Sequence, residues 1–153
     1  SKEPGRAPRV RSLPHERVRA LRVHGSEVCV VRLAGGVACA SIPRLLSGHE
    51  ALLTNAGSEQ VVQLSFGGGD LYGITQSAEV LRWTLARGAP ELLPGLTSVH
   101  ALSVGTEHGC ALLQGGSVQC WGDDSLGQVS GSARAYLWTP TEVQGLPGAP
   151  QAR

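Results

Sequence analysis

The chain is written in copies of itself. Val18 to Ala40 (VRALRVHGSEVCVVRLAGGVACA) and Val99 to Trp121 (VHALSVGTEHGCALLQGGSVQCW) align without a gap, 81 positions apart. Val18 then meets Val99, Leu21 meets Leu102, Val23 meets Val104, Cys29 meets Cys110 and Cys39 meets Cys120. Between them, Val61 to Trp83 (VVQLSFGGGDLYGITQSAEVLRW) precedes the third copy by 38 positions and matches it at Leu64, Gly67, Ile74, Val80 and Trp83. A unit of about 40 residues is one supersecondary element that buries its apolar face against the next copy, so consecutive copies dictate an array.

A proline-led segment recurs after each copy: PRLLSG from Pro43, PELLPGL from Pro90 and PTEVQGL from Pro140, with PRVRSL from Pro8 ahead of the first. Proline suits a strand that begins at a sheet edge, where a missing N–H is harmless. The expected organisation is a basic arm with a leading strand at 1–17, then repeats at 18–60, 61–98 and 99–153, the last including a C-terminal strand and tail.

Each unit opens on alternation, as at Leu102 and Val104 against Ala101 and Ser103, and continues as apolar run, Gly-rich turn, apolar run. That pattern reads as a strand feeding a β-hairpin. If Leu112 faces Val118, the same register sets Cys110 opposite Cys120. The equivalent register pairs Ile74 with Val80 and Tyr72 with Arg82 in the second copy, and Val31 with Val37 and Cys29 with Cys39 in the first. Facing Cα atoms in antiparallel strands lie about 4.5–5.5 Å apart, which a disulfide spans. The middle copy has neither cysteine, as pairing within hairpins requires. Disulfides Cys29–Cys39 and Cys110–Cys120 imply a secreted or periplasmic chain. Buried free thiols in a cytoplasmic protein are the alternative. Zinc fits poorly, because both pairs have C-x9-C spacing without a short knuckle.

At these residues the chain resembles the regulator-of-chromosome-condensation repeat family, in its bacterial secreted form. HGCALLQGGSVQCWGDDSLGQVSG followed by TPTEVQGL carries the resemblance; it is strong over Val99–Pro147, fair over Val61–Leu96 and weaker over Val18–Gly48. The resemblance implies an all-β partial β-propeller of about three four-stranded antiparallel blades, an arc of a nominal seven-bladed ring. Both faces of such blades are buried, so strict alternation is not required. Small residues at Gly73 and Ala111 suit crowding near the propeller centre. His24 departs from the family's glycine at the end of the first strand, and the Trp-Gly to Gly-Gln loop is present only in the third copy. Three units fall short of a closed ring, so further propeller repeats or copies of the chain are expected to complete it. The Ser at position 1 fits a processed or excised piece of a larger propeller.

Composition narrows the partners. Glycine (21) and proline (9) are abundant in the 153 residues, aromatics make up 4%, and net charge is +1. No overall field selects nucleic acid, and no apolar run approaches the ~18 residues of a membrane span. The first 22 residues hold seven basic side chains against Glu3 and Glu16, a solvated terminus or an arm for an anionic surface.

No catalytic constellation is evident: His15, His24, His49 and His100 lack partners at metal-ligand spacing, Gly67-Gly68-Gly69-Asp70 lacks the ending of a phosphate loop, and Ser65, Ser103 and Ser117 lie outside any nucleophile elbow. His108 is expected to hydrogen-bond a neighbouring loop. Candidate partner-binding residues are Asp123, Asp124, Gln128, Tyr136 and Trp138. The acidic pair either contacts a basic partner or builds a turn. Gln128 is expected to satisfy backbone groups of its loop. Tyr136 and Trp138, in the inserted SGSARAYLWTP, either form a binding hot spot or pack over the blade edge. The expected role is therefore a non-enzymatic protein-binding module acting through blade-end loops, with no cofactor. The family also implies a guanine-nucleotide exchange or chromatin-type regulator, or an inhibitor of a secreted hydrolase such as a β-lactamase.

Overall fold

The computed structural model describes residues 17–33, 35–41, 51–53 (backbone), 60–84 and 89–146. The basic arm with its leading strand at Pro8, and the PRLLSG segment, lie outside the described residues. Twelve strands form three separate four-stranded antiparallel sheets, each in chain order. The first sheet holds β1 (Val18–His24), β2 (Glu27–Arg32), β3 (Val37–Ser41) and β4 (Ala51–Leu53). The second holds β5 (Val61–Gly67), β6 (Asp70–Thr75), β7 (Val80–Thr84) and β8 (Pro90–Leu92). The third holds β9 (Val99–Val104), β10 (His108–Leu113), β11 (Val118–Asp123) and β12 (Tyr136–Glu142). No helix occurs among the described residues.

The hairpin registers are those the repeats require. Cys29 pairs Cys39 and Val31 pairs Val37; Tyr72 pairs Arg82 and Ile74 pairs Val80; Cys110 pairs Cys120 and Leu112 pairs Val118. Both cysteine pairs are disulfides with Cα atoms 4.1 Å apart. A one-residue slip would turn every side chain to the opposite face, and the cross-links lock that choice.

The middle sheet packs on both sides, which is why its strands are apolar without alternation. One face presents Leu64, Leu71, Leu81 and Trp83 to Cys29, Val31, Val37 and Cys39 of the first sheet. The other presents Tyr72, Ile74 and Val80 to Val99, Leu102, Ala111 and Trp121 of the third. Polar side chains on that second face reach across as well: Gln63 Nε2 donates to the Leu102 carbonyl at 3.3 Å, and Ser65 Oγ accepts from the Val104 N–H at 3.2 Å. The same surface therefore repeats from sheet to sheet, and the fold is an arc of three blades.

The crowding at Gly73 comes from the Trp83 ring and Val61 of its own sheet, each 2.9 Å from where a Cβ would stand. His24, where the equivalent positions are Gly67 and Gly105, stacks on Phe66 of the second sheet with ring centroids 5.6 Å apart. At the next junction Gly67 lies so close to Val104 and the Gly105 carbonyl that a Cβ would overlap both. Ring stacking at one blade junction thus replaces close backbone approach at the other.

Candidate functional site

The turns joining β5 to β6 and β9 to β10 lie at the same end of the arc as the last residues of β7 and β11. This follows from four antiparallel strands in chain order. A cleft of about 240 Å³ lies there, lined by residues of the second and third blades. Along one edge of it the two turns close on each other, Gly67 and Gly68 against Val104, Gly105 and Thr106. Gly68 holds φ +60°, a left-handed conformation that glycine adopts without penalty.

Tyr72 and Trp121 line the cleft at depth, both buried, with ring centroids 6.2 Å apart. Burial pushes the Tyr72 phenol above its ordinary value, against the opposing pull of the Arg82 charge. Beside it Arg82 donates from Nε and Nη2 to the same Asp70 oxygen, each at 2.7 Å. Glu107 and His108 enter from the third blade, both exposed. The mouth carries Tyr136 and Trp138, 41% and 81% exposed, with ring centroids 4.3 Å apart and planes tilted by 44°.

Tyr136 and Trp138 do not lie in a loop. They belong to β12, which begins at Tyr136 instead of Pro140; being two apart on a strand, they share one face. Gly122 pairs Leu137 and Cys120 pairs Thr141, so Trp138 to Pro140 form a bulge on an edge strand. A bulge re-aims side chains and leaves an N–H unneeded, which accommodates Pro140. Trp138 is 81% exposed and so does not pack over the blade edge, one of the two readings open from sequence.

The acidic pair builds the loop before β12. Asp123 ends β11 and accepts from the Ser125 N–H (3.2 Å), the Ser125 hydroxyl (3.0 Å) and Gln128 Nε2 (2.8 Å). Asp124 is fully buried and accepts from the Val129 and Ser130 N–H groups at 2.8 and 3.1 Å, and from the Ser130 hydroxyl. Its carbonyl accepts from the N–H groups of Gly127 and Arg134. Asp124 is therefore withdrawn from any partner surface, and hydrogen bonding explains why both carboxyls titrate below the usual range: chiefly Ser125 for Asp123 and Ser130 for Asp124. Gln128 accepts from the Leu126 N–H at 2.9 Å, bracing its loop.

His108 departs from expectation. Its carbonyl accepts from the Gly105 N–H of its own turn at 2.8 Å, and its imidazole lines the cleft with no hydrogen bond to a neighbouring loop among the described residues. Sequence reasoning also missed Asp70, Tyr72, Arg82 and Glu107 as cleft residues. The facing pair Tyr72 and Arg82 was legible; that it opened onto a cleft was not, because the walls come from two repeats 38 positions apart.

A profile of the regulator of chromosome condensation (RCC1) repeat matches residues 99–128. A Bos taurus protein named secretion-regulating guanine nucleotide exchange factor is 37% identical over 60 residues, 39% of this chain and 13% of the relative. Among solved structures, Prp20p from Saccharomyces cerevisiae superposes with a TM-score of 0.71 at 18% identity, over 86% of this chain and 37% of the yeast one. Human WBSCR16 does so with a TM-score of 0.68 at 21% identity, over 90% and 42%. The chain thus spans about two fifths of these solved propellers. Residues 99–128 thus carry an RCC1-type repeat, in a chain whose fold is that of these β-propellers.

Proposed function

We propose that the chain is a non-enzymatic binding module whose protein partner docks at the cleft lined by the second and third blades. The Tyr136–Trp138 pair carries this reading: two large rings stand in solvent on a strand, next to a cleft. Exposed aromatics on a rigid scaffold are the side chains that dominate interface energetics. The relatives are named for exchange and for binding: the Prp20p structure is described with its binding properties to Gsp1p and histones, and a second with Kap60 bound. The two disulfides favour an oxidising compartment, secreted or periplasmic.

The experiment is site-specific photo-crosslinking in the native secretome or periplasm, with the probe at position 138 or at Gln114 on the opposite end. A discrete adduct from 138 and none from 114 supports the reading; no adduct from 138 removes it. The match to an exchange factor favours a second reading, nucleotide release from a small GTPase. Release of a fluorescent GDP analogue, unchanged by a large excess of this chain, would exclude it.

Outer faces of the arc supply a second class of partner. Leu112, Val118 and the cysteine pair at 110 and 120 occupy, on the open side of the third blade, the positions that join blade to blade elsewhere. Leu21 and Val23 do so on the open side of the first blade, 52% and 56% exposed. These faces are seats for blades of the same repeat, which for the isolated chain means a second copy bound head to tail.

A further inference from the structure

The geometry points to a specific occupant for the cleft: we propose that it takes a positively charged side chain, arginine foremost, from the partner polypeptide. The proposal rests on the docking reading above and adds the chemistry that the site recognises. Four rings meet there, Tyr72 and Trp121 at depth and Tyr136 and Trp138 at the mouth. Aromatic faces carry negative potential and attract cations, and a flat guanidinium stacks on them better than an ammonium does.

Charge points the same way. Asp70 and Arg82 cancel one another through their paired hydrogen bonds. Glu107 is exposed, with no ion pair or side-chain hydrogen bond among the described residues, and Glu91 faces Arg82 across β7 and β8. Among the described residues the local surplus is therefore negative. A carboxylate ligand would meet that surplus and the ring faces together, both repulsive. Size limits the occupant further: about 240 Å³ falls below the roughly 300–1,000 Å³ typical of small-molecule sites, and accommodates one long side chain.

The test titrates the whole chain, at low salt, with acetyl-Gly-Arg-Gly-amide, its citrulline counterpart and its glutamate counterpart, following tryptophan emission. The arginine peptide should saturate, with the isosteric but uncharged citrulline peptide at least threefold weaker and the glutamate peptide inert. Glu107→Gln and Trp138→Ala should each weaken the arginine peptide by about threefold or more. Both side chains are exposed, so unchanged melting and near-UV dichroism should accompany the loss. Equal binding of arginine and citrulline peptides, or an unaffected Glu107→Gln variant, overturns the proposal. If position 138 still cross-links a partner while the arginine peptide fails to bind, the chemistry assigned here is wrong and the docking surface stands.

Discussion

Gly109 sits beneath the Trp121 ring, with Cζ2 only 2.5 Å from where a Cβ would project. Gly115, in the turn between β10 and β11, has nothing within 4 Å and no positive φ. Gly109→Ala should therefore lower stability by about 1–3 kcal/mol through overpacking, while Gly115→Ala stays within about 0.5 kcal/mol; parallel urea melts check the contrast. Asp124 offers a second residue-scale prediction. Hydrogen bonds to its ionised form hold its pKa low, so their contribution is complete above the unfolded carboxylate pKa of about 3.9 and is lost as pH falls through the lower folded value. The Val129 and Ser130 amide resonances should titrate with a midpoint below that of a free aspartate, and Asp124→Asn should abolish the transition. The turn-building role of the acidic pair was one of two readings open from sequence, because the order Asp123-Asp124 ahead of Ser125 and Ser130 does not reveal which carboxyl points inward.

At the scale of elements, the hairpins were the most legible part of the molecule. Facing positions in an antiparallel pair obey one arithmetic rule, and three copies supplied three checks on it. The cysteines show where that rule ends. Cys29 and Cys39 face the middle sheet and join its core, whereas Cys110 and Cys120 lie on the open side of the third blade. Replacing Cys110 and Cys120 together by alanine should cost about 3 kcal/mol, the loop-closure value for a ring of this length. The same change at Cys29 and Cys39 should cost more, because buried sulfur contacts are lost as well. Chemical denaturation of the two double variants, each with the other bridge intact, measures the difference. β12 was the least legible element: an edge strand with a bulge has no periodic pattern, and Pro140 suggested a start four residues too late.

Over the whole molecule, the arc has one interior and two ends. Trp83 and Trp121 occupy equivalent positions, but each fills the junction with the preceding blade, so the third blade's far face meets no blade. Leu112, 37% exposed there, corresponds to Ile74, which is buried against the third blade. If a second copy covers that face, light scattering should show concentration-dependent association of the isolated chain. Leu112→Lys should shift it toward monomer with little effect on the melting temperature, since the side chain is already half in solvent. A monodisperse monomer at all accessible concentrations would remove head-to-tail pairing.

Strand order within a blade, hairpin register, the two cross-links and the count of blades were all written in the amino-acid order. They depend on neighbours within about 40 residues and on a period that repeats. The cleft, the inward turn of Asp124 and the outward turn of Trp138 were decided only in the folded chain. The cleft arises where Gly67 meets Val104 and Tyr72 meets Trp121, contacts between repeats whose mutual angle no local pattern specifies, while hydrogen bonds from Val129 and Ser130 turn Asp124 inward and the bulge in β12 re-aims Trp138.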